Sequence, residues 1–494
     1  MNTDTNPSTT PLARPSLLRN WVSLIGLMVA IGALFSFLLL FMLDALAHFS
    51  NPYIGILTYC VVPAFLISGI FLTVCGVWWE RRKRRRQNVS VPRIQIDLSR
   101  PRDRRVLAAF VGGSLLFIML SAVGSYNAFH LTESVQFCGE TCHTVMQPEL
   151  TTHDHSAHAR VACVECHVGP GASWFVKSKI TGAYQLYAVA FNKYPRPILT
   201  PIKNLRPASV TCEQCHWPQA FNGNLDRTFT YFQGDASNSP YSIRLLIKIG
   251  GVDPTLGPLG GIHWHILKGN TVEYIATDKA RQNIPWVRVT DAEGVVTVFK
   301  TKNFTNDISQ YEIRKMDCMD CHNRPTHRYL SPDAAVDGAL AQGEIDPTLP
   351  WIKTNAVYVL TRNYNNDDEA RNGIATALAG RYPGDPRIRA AIPVVQAIYT
   401  NNFFPVMKAN WSVYPDNVGH MIWPGCFRCH DGNHKTDDGK RMIKANDCNA
   451  CHTILAQGTG AELNQLTPGG QQFKHPAGDL DGSNSCIDCH NGGP

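Results

Sequence analysis

The chain has 494 residues, 44% of them hydrophobic and 17% charged, which gives room for several structural units and for membrane segments. Its net charge of +7 is concentrated, because Glu80 to Arg105 holds 11 Lys or Arg against Glu80, Asp97 and Asp103, and the other 468 residues sum to −1. One basic block beside apolar runs is a membrane-topology signal, and it excludes nucleic acid as a partner.

In chain order, residues 1–20 read as a cytoplasmic tail, followed by a three-helix membrane anchor over 21–128. Its spans are the apolar stretches Trp21 to Ala47, Tyr53 to Trp79 and Val106 to Tyr126, each long enough to cross a bilayer as a helix. The "ALA" at Ala45 to Ala47 resembles a signal-peptide cleavage site, but the preceding apolar run is too long for a signal core, so a retained helix is expected. Pro63 is expected to kink the second span. The basic loop 80–105 places that side of the anchor in the cytoplasm. The third span then delivers everything from Asn127 onward to the opposite face. The predicted location is the inner (cytoplasmic) membrane, multi-pass, with the large domain in the periplasm.

Beyond the anchor one motif recurs. C-x-x-C-H stands at Cys163/Cys166/His167, Cys212/Cys215/His216, Cys318/Cys321/His322, Cys426/Cys429/His430, Cys448/Cys451/His452 and Cys486/Cys489/His490. A looser copy, "CGETCH", places three residues between Cys138 and Cys142, ahead of His143. Two thiols at this spacing meet the two vinyl groups on one edge of a haem, and the next histidine meets the iron as proximal ligand. The extra residue in "CGETCH" enlarges the loop without moving Cys142 relative to His143, and Gly139 gives it slack. Seven covalently bound haem c groups are therefore expected, using 14 of the 16 cysteines. Zinc sites, iron–sulfur clusters and disulfides all leave the recurring histidine unexplained. Cys60 and Cys75 lie in an apolar run and read as inert buried thiols. Covalent haem attachment also requires exported polypeptide, in agreement with the charge argument.

The fold class expected is three N-terminal transmembrane α-helices followed by a mainly α and irregular multihaem cytochrome c domain with a small antiparallel β insertion. Haems 1–3 fall in 129–222. A β-rich insertion occupies 223–310, where short β-branched and aromatic runs such as "YSIRLLIKIG" and "VVTVFKT" are broken by Gly, Asp and Asn. Residues 311–330 carry haem 4. Residues 331–415 form a helical connector, with "DDEARNGIATALAG" and "PRIRAAIPVVQAIYT" as its clearest segments. Residues 416–494 hold haems 5–7 so closely spaced that the haems themselves must serve as core.

Of 18 histidines, seven are proximal and His48 and His130 flank the spans. Nine remain, and most stand near a haem motif. Six-coordinate, bis-histidine iron suited to electron transfer is expected, with His158, His327, His420, His434 and His475 as the best distal candidates. His263 and His265 in "GGIHWHI" lie two apart on a possible strand and so share a face, where one of them reaches a given iron. Met146, three residues after His143, could give the first haem a thioether ligand and raise its potential, or simply pack.

A span running into "FCGETCHTVMQPE", then "SAHARVACVECHVGPGASWFVKSKITG", resembles the NapC/NirT family of membrane-anchored quinol dehydrogenases. "MDCMDCHNRPTH" is similar to that family's fourth haem segment, where a histidine shortly after the motif is a distal ligand; His327 holds that place. The resemblance covers about Val106 to Asn222 and Tyr311 to Leu330. It implies oxidation of quinol (menaquinol) from the membrane quinone pool beside the first haem, and electron passage to a periplasmic or outer-membrane redox protein. Two extra spans, the β insertion and three further haems depart from the family pattern of one anchor helix and four haems.

A quinol site needs a ring held against a haem edge and polar groups that take protons. Lys177 and Lys179 resemble in placement a quinol-contacting lysine of the family. Glu149, just past the first haem, is a candidate proton acceptor, and Asp44 and His48 at the outer end of the first span are others. Two further functions compete with quinol-linked electron transfer. One is terminal reduction of a small nitrogen or sulfur oxyanion, which needs an iron with an open position; the other is reverse flow into the quinone pool.

Overall fold

The computed structural model describes residues 17–18, 20–47, 57–87, 98–141, 143–169, 172–202, 205–218, 221, 223–253, 257–267, 269–304, 307–445, 448–478 and 485–493. The chain forms two compact units, Met1–Thr141 and Cys142–Pro494.

Three helices dominate the first unit: α1 (Trp21–Ala47), α2 (Val62–Arg86) and α3 (Pro101–Thr132). All three are long and apolar enough to cross a membrane. They turn large apolar side chains outward, with Phe35 67%, Phe71 66% and Phe110 71% exposed, as lipid-facing helices do. Small residues bring α1 against α2: a Cβ on Gly26 would lie 2.5 Å from the Thr73 nitrogen, and one on Gly69 2.6 Å from that of Ala30. Close backbone approach through small residues is how apolar helices associate where no hydrophobic effect drives them. Phe37 is buried and meets Phe117 of α3 edge-on at 5.1 Å. α3 runs beyond the apolar stretch Val106 to Tyr126 at both ends, since polar first and last turns continue the helix. Within the second span, Pro63 stands in the first turn of α2, directly after a π-helical turn (Leu57–Val61), so the helix changes type beside the proline. α2 ends on Lys83, Arg84, Arg85 and Arg86, cations that suit a helix C-terminus.

In the second unit α4 (His143–Asp154) and α5 (Ala172–Ala190) come first. Three small antiparallel sheets follow. Strands β1 (Asn224–Phe232) and β2 (Pro240–Lys248) form a hairpin, β3 (Gly251–Asp253) pairs with β4 (Gly257–Leu259), and β5 (Thr271–Ile275), β6 (Trp286–Thr290), β7 (Val296–Lys300) and β8 (Arg314–Lys315) make a sheet of order β7-β6-β5-β8. Its alternating pattern buries Val272, Tyr274 and Val287 on one face. The hairpin gains a third strand from far along the chain: β9 (His452–Gly458) pairs with β2, matching His452 with Ile247 and Gly458 with Ser242. That pairing joins the 223–310 segment to the terminal haem segment in one sheet.

The helical connector is α6 (Pro332–Ala341), α7 (Ile352–Leu360), α8 (Asp367–Arg381) and α9 (Pro386–Asn402). Ser331, Asn366 and Asp385 cap α6, α8 and α9 through their side-chain oxygens. Ile345, Leu349, Ile352, Leu360, Ile374, Leu378 and Val395 are fully buried between these helices. This is the main apolar core of the second unit; the haem motifs lie outside it.

Candidate haem-attachment sites

Each of the six C-x-x-C-H motifs folds as one tight turn. The histidine N–H closes on the carbonyl of the first cysteine: His216 on Cys212 at 2.8 Å, His322 on Cys318 at 2.8 Å, His430 on Cys426 at 3.0 Å and His490 on Cys486 at 2.8 Å. Cys163–His167 is a five-residue helical turn and Cys448–Cys451 a four-residue one. Two intervening residues put both thiols on one side of the turn and aim the histidine across it, the arrangement haem addition requires.

The cysteines differ in how far the protein encloses them. Cys215, Cys426, Cys448 and Cys489 are exposed, whereas their partners Cys212, Cys429, Cys451 and Cys486 are half-buried. Cys489 is the second thiol of the terminal motif. It closes the short helical turn Cys486–Cys489, which is anchored from its other end, where Ser485 and Asp488 form a reciprocal cap. The polypeptide therefore packs around the first thiol of this turn and leaves the second at the surface. An exposed thiol still suits addition to a vinyl group, which needs access, but packing by the protein does not mark Cys489 as a site residue; the motif and its turn do.

Opposite six of the motif histidines stands a second imidazole. Ring centres are separated by 6.0 Å for His216 and His158, 6.4 Å for His167 and His327, and 6.4 Å for His322 and His263. The remaining pairs are His430 and His265 at 5.9 Å, His452 and His420 at 6.3 Å, and His490 and His475 at 6.1 Å. Two imidazoles bound to one metal at about 2 Å, each with its ring centre about 1 Å further back, have centres about 6 Å apart. The six spacings fit that gap.

Hydrogen bonding orients several of the rings. His158 Nδ1 faces the Pro325 carbonyl at 3.3 Å, His263 Nδ1 that of Ile249 at 3.2 Å, His265 Nδ1 that of Ile262 at 2.8 Å and His327 Nδ1 that of Glu149 at 3.1 Å. A carbonyl only accepts, so each Nδ1 carries the proton and Nε2 offers its lone pair, the usual support of a metal-ligating histidine. Burial favours the neutral, ligating form of His263, His420, His430 and His452. It also pushes His327 down to about 3, helped by the Arg324 guanidinium.

His434 is a correction. Both its ring nitrogens are taken, Nδ1 by Asp431 at 2.8 Å and Nε2 by the Ile284 carbonyl at 2.6 Å, in a fully buried setting. Burial opposes its charged form, but Asp431 and the Ile284 carbonyl outweigh this and raise its pKa. It ties the loop after His430 to the turn before β6. His434→Ala is expected to leave haem content and the low-spin spectrum unchanged while lowering stability by about 1–3 kcal/mol, read by optical spectroscopy and thermal unfolding.

The "GGIHWHI" segment is also corrected. It is a 3₁₀ turn, Ile262–Ile266, and not a strand, so its two rings diverge, His263 toward His322 and His265 toward His430. At the first site, Cys142 and the side chain of His143 lie outside the described residues. Met146 stands on α4, three residues after His143.

Of the quinol candidates, Lys177 and Lys179 are exposed on α5, and Lys177 Nζ lies over the Trp174 ring at 4.8 Å. Two residues apart on a helix, they point about 200° apart and serve different surroundings. Glu149 is half-buried, with Tyr329 donating to its carboxylate at 3.3 Å and the Arg324 guanidinium forming an ion pair with it at 3.9 Å. Burial raises its pKa, partly offset by Arg324. The Asp44 side chain and His48 lie outside the described residues.

The motifs also neighbour one another. The thiols of Cys212 and Cys318 are in hydrogen-bonding contact. Cys166 lies within electrostatic reach of Cys215, and Cys321 of Cys426. His420, opposite His452, stacks on Phe427 of the fifth motif at 4.4 Å. One group the sequence reading missed is the buried guanidinium of Arg206, whose Nε and Nη1 lack hydrogen-bond partners. A buried cation without an anion is costly, and each haem brings two carboxylates, so this residue fits the group.

Attachment turns, facing imidazoles and three membrane-length helices together define a membrane-anchored multihaem c-type cytochrome, with covalently bound haem c and a role in electron transfer. Residues 100–197 match the NapC/NirT cytochrome c family, N-terminal region. The chain is 43% identical over 495 residues to the cytochrome c-type protein ImcH of Geobacter sulfurreducens, covering 96% of this chain and 95% of that protein. The chain belongs to the NapC/NirT cytochrome c family. No solved structure matches it.

Proposed function

We propose that this protein carries seven covalent haem c groups, six of them bis-histidine, oxidises quinol at the periplasmic face of the inner membrane, and passes electrons to a periplasmic or outer-membrane redox protein. The observation that carries this reading is the set of six facing imidazole pairs with ring centres 5.9–6.4 Å apart. Haem c, when bound, supplies one-electron exchange at an iron whose ligands need not change. Iron ligated on both faces offers no open position to an oxyanion, which favours electron transfer over terminal reduction.

The chain's own residues arrange the relay. Distal histidines come from segments other than the motif they serve, so each site clasps two stretches of chain. The hydrogen-bonding contact of Cys212 with Cys318, and the electrostatic reach between Cys166 and Cys215 and between Cys321 and Cys426, support a row running from the second to the fifth site, which His420 continues to the sixth. Residues 129–222 serve as the entry module, 223–310 and 311–330 as its extension, 331–415 as support and 416–494 as the exit module. At entry, Lys177 or Lys179 holds a quinol oxygen and Glu149 receives a proton, its raised pKa favouring the protonated form.

The test combines mass and optical spectra of full-length protein. Seven haem increments are expected, with reduction by a menaquinol analogue in membranes. Six increments would remove the first site, and haems that stay oxidised with the quinol would remove quinol oxidation.

A further inference from the structure

We propose that Arg206 is a positioning residue whose guanidinium holds a propionate of the haem attached at Cys163, Cys166 and His167. The inference rests on the haem reading above and deepens it by naming a group that sets one haem's potential.

Arg206 is 4% exposed, and its Nε and Nη1 are buried without a hydrogen-bond partner. A guanidinium keeps its charge at all accessible pH, so it cannot escape burial by losing a proton. Removed from water with two unsatisfied N–H groups, it calls for an anion in the same pocket. The protein surface around it offers an aromatic face and a glycine: the Trp174 ring centre is 6.0 Å away, and Nη1 sits where a Cβ on Gly169 would be, 1.5 Å from that position. Gly169 has φ +62°, so any other residue there would be strained as well as displaced. It follows His167 by two residues, which brings the guanidinium against the backbone leaving the second attachment turn. The anion that belongs at that position, once haem is attached, is a haem carboxylate. A fixed positive charge there stabilises the added electron of the ferrous state, so its removal lowers that haem's midpoint potential.

The experiment is a redox titration of full-length, haem-loaded protein carrying Arg206→Gln or Arg206→Lys, with resonance Raman spectra of the propionate modes. Arg206→Gln is expected to lower one midpoint by about tenfold in the reduction equilibrium, ~59 mV for one electron, with a shifted propionate mode. Arg206→Lys is expected to move the same midpoint less, because it keeps the charge and loses the planar fork; it stands as the test if the glutamine variant does not fold. The moving midpoint must be the one missing from a Cys163→Ser, Cys166→Ser protein. Unchanged midpoints and Raman modes in a fully loaded variant would overturn the proposal, as would a moving midpoint that persists in the double-serine protein. A lipid phosphate in the same seat would make the midpoint differ between detergent and phospholipid nanodiscs, which would also overturn it. Failure of the haem reading itself shows separately, as a mass without haem increments.

Discussion

Replacing His263 by alanine is expected to convert one low-spin haem to a high-spin, carbon-monoxide-binding one, and replacing His265 is expected to convert a different one. The 3₁₀ turn Ile262–Ile266 presents the two rings to two proximal histidines, 6.4 Å from His322 and 5.9 Å from His430. Each Nδ1 is held by a backbone carbonyl, at Ile249 and at Ile262, so neither ring swings to replace the other. Alanine removes a sixth ligand and leaves five-coordinate iron with an open face. Electron paramagnetic resonance and carbon monoxide titration should count one converted haem in each single variant and two in the double. A double variant that converts one haem would mean that both rings serve the same iron. The effect is large because it changes spin state, and it exposes an iron on which oxyanion chemistry becomes possible. The same variant therefore tests whether closed coordination keeps the protein a conductor.

The pairings also mark where the sequence stops being legible. The attachment motifs, three apolar helices, an antiparallel β region and three capped connector helices all rest on local signals: cysteine spacing, hydropathy, period-two alternation and N-cap residues. Partnership between histidines does not. His158 precedes the second motif yet faces His216 of the third, and His420 precedes the fifth yet faces His452 of the sixth. His327 follows the fourth motif and faces His167 of the second. The reason is geometric. Four residues at full stretch reach about 14 Å, too little to leave one face of a macrocycle, clear its edge and return aligned on the other. A histidine next to a motif is thus free to serve a neighbouring haem or to pack. His434, four residues after His430, does the latter because Asp431 and the Ile284 carbonyl occupy its nitrogens. β9 was hidden for a related cause: its partner β2 lies some two hundred residues earlier, and a seven-residue run after "CNACH" carries no mark of that pairing.

Asp320→Ala is expected to destabilise the holoprotein by about 3–5 kcal/mol, the largest stability effect we foresee for a single spacer residue of any motif. Asp320 lies between Cys318 and Cys321 and is 2% exposed. Its Oδ1 accepts from the Tyr274 hydroxyl at 2.5 Å, Arg281 at 3.2 Å and Arg314 at 3.5 Å, and its Oδ2 accepts from the Asp317 N–H at 2.8 Å. Its backbone carbonyl accepts from Asn417 at 3.0 Å and from Arg428 of the fifth motif at 2.8 Å. One carboxylate therefore fastens the fourth attachment turn to β5 and β8, while the adjoining backbone links it to the fifth. Alanine would leave the Tyr274 hydroxyl and two guanidiniums without their carboxylate, the costly way to break a charged network. Asp320→Asn keeps an acceptor oxygen without the charge and is expected to cost about 1–3 kcal/mol. Denaturant unfolding followed through haem absorbance measures both. Because Cys321 and Cys426 are neighbours, loosening this turn should also disturb the coupling between the fourth and fifth haems, visible as a change in their paired midpoints. An Asp320→Ala protein with wild-type unfolding midpoint and wild-type potentials would show that the relay's spacing is held elsewhere.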